Sequence, residues 1–300
     1  MIGFIVDTEF VWGFQARIVG LSKTSPSFYY PPPTTFLGAM AEVIAKENNV
    51  GEDLGRFIIN ELGGNLLAIG VRPINCVPIK YEDLNRVIAV KITSGKLYPN
   101  PEDLSKSFDS PARGKTILTS LNSEAPRLRW FLVFKERTIN VQDENLKNKI
   151  DAIELSEEIF WKIHRLGSKE SRVCVVDVNT FDEIHVSSGL VTMNYSFPAT
   201  AVSTCEEVVR RWENEVYVDP FSSEIYKREK KGKKVAESGV FEKYYSGFEN
   251  LRVFKIPIIV SIENPPEYAV KTIKGWSAYF VTLDSRREVV IGVDKVKLSN

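Results

Sequence analysis

Few side chains in this sequence can do covalent or acid–base chemistry. The histidines are two, His164 and His185, and the cysteines three, Cys76, Cys174 and Cys205. An odd number of widely spaced cysteines with no C-x-x-C pair writes neither a zinc knuckle nor a redox dithiol. No H-E-x-x-H, G-x-S-x-G or G-x-G-x-x-G occurs, so we expect no metal and no cofactor. Gly114-Lys115-Thr116 matches the second half of a phosphate-wrapping loop. The glycine needed five residues earlier is Asp109, and Pro111 removes an amide donor, so a nucleotide-hydrolysing site is rejected.

Metal-free RNA cleavage needs a base for the 2′-hydroxyl, an acid for the leaving oxygen and a cation for the phosphorane charge. Tyr29, Tyr30, Lys115, His164 and His185 are the candidates. Each also has a plainer role. His164 falls near the end of an expected helix, where the dipole favours a cation. His185 flanks an expected strand, and Tyr29 and Tyr30 can pack on the prolines that follow them.

Two segments carry more information. Tyr29-Tyr30-Pro31-Pro32-Pro33-Thr34-Thr35-Phe36-Leu37-Gly38-Ala39 sets a rigid, aromatic, donor-poor stretch before a helix. Gly38 in the first turns costs about 1 kcal/mol against alanine, which a close backbone contact would explain. Arg165-Leu166-Gly167-Ser168-Lys169-Glu170-Ser171 offers a glycine turn, two cations and two hydroxyls. That set suits a phosphate or an RNA backbone. It equally suits a helix C-cap with exposed charges.

The elements that must position these groups follow from periodicity. Ile2 to Ile18 reads as a long strand, broken or bulged near Gly13. Thr35 to Asn48 reads as an amphipathic helix and Glu52 to Leu62 as a second, ended by Gly63-Gly64. Leu66 to Lys80 and Arg86 to Thr93 read as strands joined near Tyr81 to Asn85. Ser94 to Pro126, with four prolines, reads as a long polar insertion, and such loops are usually functional or disordered. Leu128 to Glu136 is a strand, Ile150 to Leu166 a helix and Arg172 to Val178 a strand. A ferredoxin-like or RNA-recognition-motif (RRM-like) core has this order, as do other α+β sandwiches. The expected class is α+β, with that core and its inserted segment in residues 1–180. A smaller β-rich part follows in residues 181–300. There Val209 to Asn214 reads as a short helix, and Leu251 to Ile262, Ser277 to Leu283 and Val289 to Val293 as strands.

Composition excludes several classes. The 300 residues hold 39 basic and 39 acidic side chains and 43% hydrophobic residues, enough apolar surface to fold. The longest apolar runs, such as Leu66 to Val71, fall far short of the roughly 20 residues that span a bilayer. Asp7 and Glu9 interrupt the apolar start where a signal peptide needs an unbroken core. A cytoplasmic, intracellular protein without membrane contact is expected. Two glutamines among abundant Lys and Glu hint at a heat-tolerant source. Zero net charge leaves nucleic-acid binding to local patches. One is the run Lys227 to Lys234, with six cations between Tyr226 and Lys234; it also reads as a solvated hairpin tip.

The proline-rich helix entry with its Gly-Ala, followed late in the chain by an expected helix ending in L-G-S-x-E-S and a strand, resembles the CRISPR-associated Cas-five family of the repeat-associated RAMP superfamily. The first forty residues look most like the archaeal type I-A branch. The resemblance covers roughly the first 180 residues and implies an RRM-like fold. It implies a place at the foot of the Cascade surveillance complex, gripping the CRISPR RNA 5′ handle, capping the backbone subunits and contacting the large subunit. The family's inserted thumb falls on Ser94 to Pro126, with cations Lys96, Lys106, Arg113 and Lys115. Its glycine loop falls on Gly167, Ser168, Lys169 and Ser171, beside Arg165. Arg17, Lys23, Tyr29 and Tyr30 complete the RNA-binding set we expect, with Phe28, Tyr98 and Phe108 as further stacking candidates. Members of the type I-C branch cut precursor RNA with a tyrosine, lysine and histidine. No histidine lies in or near the insertion here, so no catalytic residue and no enzyme activity are expected. The competing readings are a metal-independent endoribonuclease, the equivalent subunit of a type III effector and an unrelated α+β interaction protein.

Overall fold

The computed structural model describes residues 1–16, 27–83, 87–88, 91–93, 96–98, 108–109, 113–143, 148–203, 212–223, 251–258 and 267–294. In chain order its strands are β1 (Ile2–Phe10), β2 (Gly13–Phe14), β3 (Leu66–Pro73), β4 (Cys76–Asp83), β5 (Val87–Ile88), β6 (Lys91–Thr93), β7 (Lys96–Tyr98), β8 (Phe108–Asp109), β9 (Arg113–Ser120), β10 (Arg127–Phe134), β11 (Thr138–Asp143) and β12 (Asn148–Glu154). They continue as β13 (Val173–Phe181), β14 (His185–Ser187), β15 (Leu190–Met193), β16 (Phe197–Pro198), β17 (Val202–Ser203), β18 (Trp212–Val218), β19 (Leu251–Pro257), β20 (Tyr268–Thr272), β21 (Trp276–Leu283) and β22 (Arg286–Val293). The helices are α1 (Pro33–Glu47), α2 (Glu52–Asn65) and the single turn α3 (Glu157–Trp161).

A seven-stranded sheet in the order β13-β1-β10-β3-β22-β21-β14 organises the molecule. Every described pairing in it is antiparallel. Alternation in β1 explains its two faces. Phe4, Val6 and Phe10 enter the main core with Phe36, Leu37, Met40 and Ile44 of α1. Ile5 enters a second cluster on the opposite face with Phe131, Tyr195, Tyr279 and Val290. That opposite face is therefore closed over. Ser196 exchanges two hydrogen bonds of 2.9 Å with the Val71 backbone, through its own N–H and through its hydroxyl as acceptor. A Cβ on Gly70 would stand 2.8 Å from the Ser196 carbonyl, so only glycine admits this approach.

α1 begins where the prolines place it, with Pro33 at its first position and Pro32 O accepting the Thr35 N–H at 2.8 Å. Its core face is the one the periodicity predicts.

Several expectations are corrected. Ile150 to Leu166 is not one helix. β12 pairs with β11 in a hairpin, and α3 alone is helical. Ile139, Val141, Ile150 and Ile153 are all buried in the main core, so isoleucines at helical spacing serve equally well on a bulged hairpin. The strand expected over Leu66 to Lys80 is two, because the chain turns at Ile74 and Asn75. The Asn75 carboxamide donates to Asn122 Oδ1 and Ala125 O and accepts from Arg127 N. Gly63 and Gly64 lie inside α2. The insertion is not a plain loop. β9 pairs along its whole length with β4, and β2 joins its other edge. The short helix expected over Val209 to Asn214 is in its described part the start of β18, and residues 209–211 lie outside the described residues. Finally, β21 and β22 extend the central sheet, and Tyr217, Phe254 and Ile256 enter the main core. The core does not divide at residue 180.

Candidate nucleic-acid interface

The glycine loop connects α3 to β13. Gly167 has φ +116°, and a Cβ there would meet Gln15 O at 2.7 Å. The loop clasps the chain on both sides of β2. Ser168 N donates to Gln15 O (2.8 Å), Gln15 N donates to Ser171 Oγ (2.8 Å) and Trp12 Nε1 donates to Glu170 O (3.1 Å). Ser171 is fully buried. Its hydroxyl accepts the Gln15 amide and lies 3.2 Å from Ser168 Oγ, so this residue holds the loop and does not meet solvent. Lys169 is exposed. Arg165 pairs with Glu42 of α1 at 2.8 Å. Partial burial opposes ionisation of Glu42, but hydrogen bonds from Lys46 and Arg165 outweigh it and hold the carboxyl below its usual range.

The aromatic entry to α1 is equally structural. Tyr30 is fully buried, and its hydroxyl donates to Pro257 O at 2.6 Å. Burial, then the neighbouring Cys76 and Glu215, raise that phenol well above its ordinary pKa. Phe28 is buried against Tyr217, and its carbonyl accepts the Thr116 hydroxyl. Neither ring is free to stack on a base, contrary to expectation. Tyr29 is half-buried. The Lys80 ammonium lies 3.6 Å from its ring centroid. Glu215 gathers the region: it accepts Tyr29 N (2.8 Å), Lys80 Nζ (2.7 Å) and Tyr217 OH (2.6 Å). We expect Tyr30→Phe to lose about 1–2 kcal/mol of stability in urea titration while leaving RNA affinity unchanged. An RNA-binding loss at unchanged stability would return Tyr30 to the interface.

The insertion's described cation is Lys115. In the β4–β9 register it stands opposite Tyr81, and Ile79 stands opposite Ile117. Tyr81 and Ile79 are each 50% exposed and Ile117 40%. Period-two alternation puts all four on one face of the ribbon, while Pro78, Thr116 and Leu118 are buried. Tyr81 was missed because it read as part of a turn. The backbones of Lys96 and Arg113 lie in β7 and β9, but their side chains fall outside the described residues. The same holds for Tyr98 and Phe108. Arg17, Lys23, Lys106 and the run Lys227 to Lys234 lie outside the described residues altogether.

One row of charges was not anticipated. Asp7, Arg129, Arg72 and Glu288 stand side by side across β1, β10, β3 and β22. Arg129 grips both Asp7 oxygens at 2.7 Å, and Glu288 Oε1 accepts from Arg129 (3.1 Å) and Arg72 (2.9 Å). The set is neutral and mostly buried, which suits a structural network. The sole signal in the sequence was a charge at an inward-facing position of each strand.

The histidines stand apart. His164 O accepts Val173 N at the start of β13, whereas His185 lies in β14. These are the two outer strands of the seven, six strand intervals apart.

No protein-family model matches the chain. A CRISPR-associated protein, Cas5 2 of Saccharolobus solfataricus, is 24% identical over 209 residues, 69% of this chain and 72% of that protein. The crystal structure of a CRISPR protein from Archaeoglobus fulgidus is 45% identical, with a TM-score of 0.64, over 98% of this chain and 100% of that one. The chain belongs to the Cas5 family of the RAMP superfamily. Within this Cas5 protein the family-like segments are thus traced to a loop clasped against residues 12–15 and to a helix entry locked into the core. Among the described residues no helix is long and apolar enough to cross a membrane.

Proposed function

We propose that this chain is a non-catalytic CRISPR RNA-binding subunit of a type I-A Cascade complex in the cytoplasm. In this reading it holds the 5′ handle, caps the backbone subunits and contacts the large subunit. The observation that carries the reading is the ribbon face bearing Tyr81, Lys115, Ile79 and Ile117. Family membership supplies the CRISPR context. The order β13-β1-β10-β3 supports an RRM-like, ferredoxin-like core: counted along the chain these are its fourth, first, third and second strands. Because Tyr195 and Ser196 cover the face where such a core would offer a platform, a strand of RNA falls to the open face of the β4–β9 ribbon. An aromatic ring and a cation on one open face serve unstacked bases and phosphates. The separation of His164 from His185 supports the non-catalytic part, since a paired acid and base must both reach one phosphate.

Filter binding of handle RNA against scrambled RNA, with and without a backbone subunit, tests the reading. Preference for the handle is expected, and equal weak binding to both in the assembled complex overturns it. Incubation with repeat RNA in chelator tests the catalytic part, and specific cleavage lost on His164→Ala or His185→Ala would establish an endoribonuclease instead. Replacing Arg113 and Lys115 together by alanine should reduce the slope of log affinity against log salt by roughly 1.4, at about 0.7 per single-strand phosphate contact. An unchanged slope clears both residues of phosphate contact.

A further inference from the structure

A second surface lies at the other edge of the central sheet. His185, in the outermost strand β14, is paired in register with Phe280 of β21. Their rings stack, with centroids 5.1 Å apart and planes at 28°. From the neighbouring strand β22 the Arg287 guanidinium lies 3.6 Å from the Phe280 centroid. Three flat π-systems thus stand in line across three strands. His185 and Arg287 are exposed and Phe280 is half-buried, packed on a third core cluster, that of Val191, Phe197 and Ile291. The β21–β22 turn, with Asp284 and Ser285 at positive φ, is followed by Arg286 and Arg287, whose side chains alternate to opposite faces of β22. Both arginines are exposed, and no described carboxylate pairs with either.

We propose that the His185–Phe280–Arg287 ladder is a stacking platform for unpaired nucleobases, with Arg287 taking the adjoining phosphate. His185 occupies the last strand of the sheet, so among the described residues no further strand of that sheet covers the outer side of its imidazole. A planar cationic ladder of this kind offers bases a π-face whatever their sequence. A protein partner would be better served by a wider apolar surface. Val186, the next residue of β14, alternates to the other face of the sheet, opposite Tyr279. The ladder lies on β14, β21 and β22 and shares no strand with the β2-β9-β4 ribbon, so it is a separate contact from the proposed handle site.

The probe is a ten-residue single-stranded RNA carrying 5-iodouracil, photocrosslinked to the full chain, with DNA of the same sequence and the duplex RNA as parallel arms. Peptide mapping is expected to place crosslinks on the segments holding His185 or Phe280. His185→Ala with Arg287→Gln should cut them about fivefold or more at an unchanged melting temperature, and duplex RNA should crosslink far less than either single strand. RNA and DNA crosslinking alike support a base-stacking site, and the ratio of the two says which strand it prefers. No crosslink in these segments, or undiminished crosslinking in the double variant, overturns the platform. So does loss of a co-purifying subunit in that variant with RNA crosslinking intact, which assigns the face to protein contact. Handle preference is measured separately, so the proposed function and this platform fail independently.

Discussion

Glu288→Ala is expected to cost about 3–5 kcal/mol, because it strands guanidinium groups in the closed face of the sheet. Arg72 loses its acidic partner at 2.9 Å, and Arg129 keeps Asp7 alone. The Glu288 side chain is 3% exposed and that of Arg72 10%, so water can replace little of what is lost. Replacing Arg72 and Glu288 together by methionine should cost far less, since no unpaired charge is then buried. The pH dependence has a definite sign. Burial raises the Glu288 pKa, but Arg72 and Arg129 outweigh it and hold the carboxyl below 4.5. Its contribution is therefore complete above that value and disappears as pH falls through the folded-state pKa. Urea titrations between pH 3 and 7 check both points. If the single variant loses under 1 kcal/mol, the row is not a structural network.

Gly167→Val is the second large effect. A β-branched residue cannot hold φ +116° without strain, and its Cβ would press on a backbone carbonyl that cannot retreat. Denaturation is expected to show a loss of about 2–4 kcal/mol. The clasp on Gln15 would loosen with it, and handle affinity should fall. Lys169→Ala, at an exposed position, should change stability by under about 0.5 kcal/mol and affinity modestly. That contrast is the one expected if the loop acts through its backbone shape. Equal losses of affinity in the two variants would make it a charge site instead.

The two segments that carry the family resemblance are recognisable because both are constrained locally. Prolines set the entry to α1, and a glycine is required where the chain turns back against residue 15. Their roles are another matter. Tyr30 and Ser171 looked available as binding groups, yet one donates to Pro257 from over two hundred residues away and the other accepts from Gln15. No local pattern can announce such partners. Tyr81 shows the converse: it looked like turn punctuation and is an exposed ring opposite Lys115.

Periodicity alone determined α1, α2 and the strands β1, β10 and β13 of the large sheet, because each must turn an apolar stripe toward one core. It could not distinguish a helix from a bulged hairpin over residues 150–154, where isoleucines three apart satisfy either. Nor could it show that β21 and β22 join the first strands, or that four charges would line up across the sheet. Those outcomes depend on pairings between residues far apart in the chain. Such pairings are selected by the free energy of the whole packed structure, which no single window of residues contains.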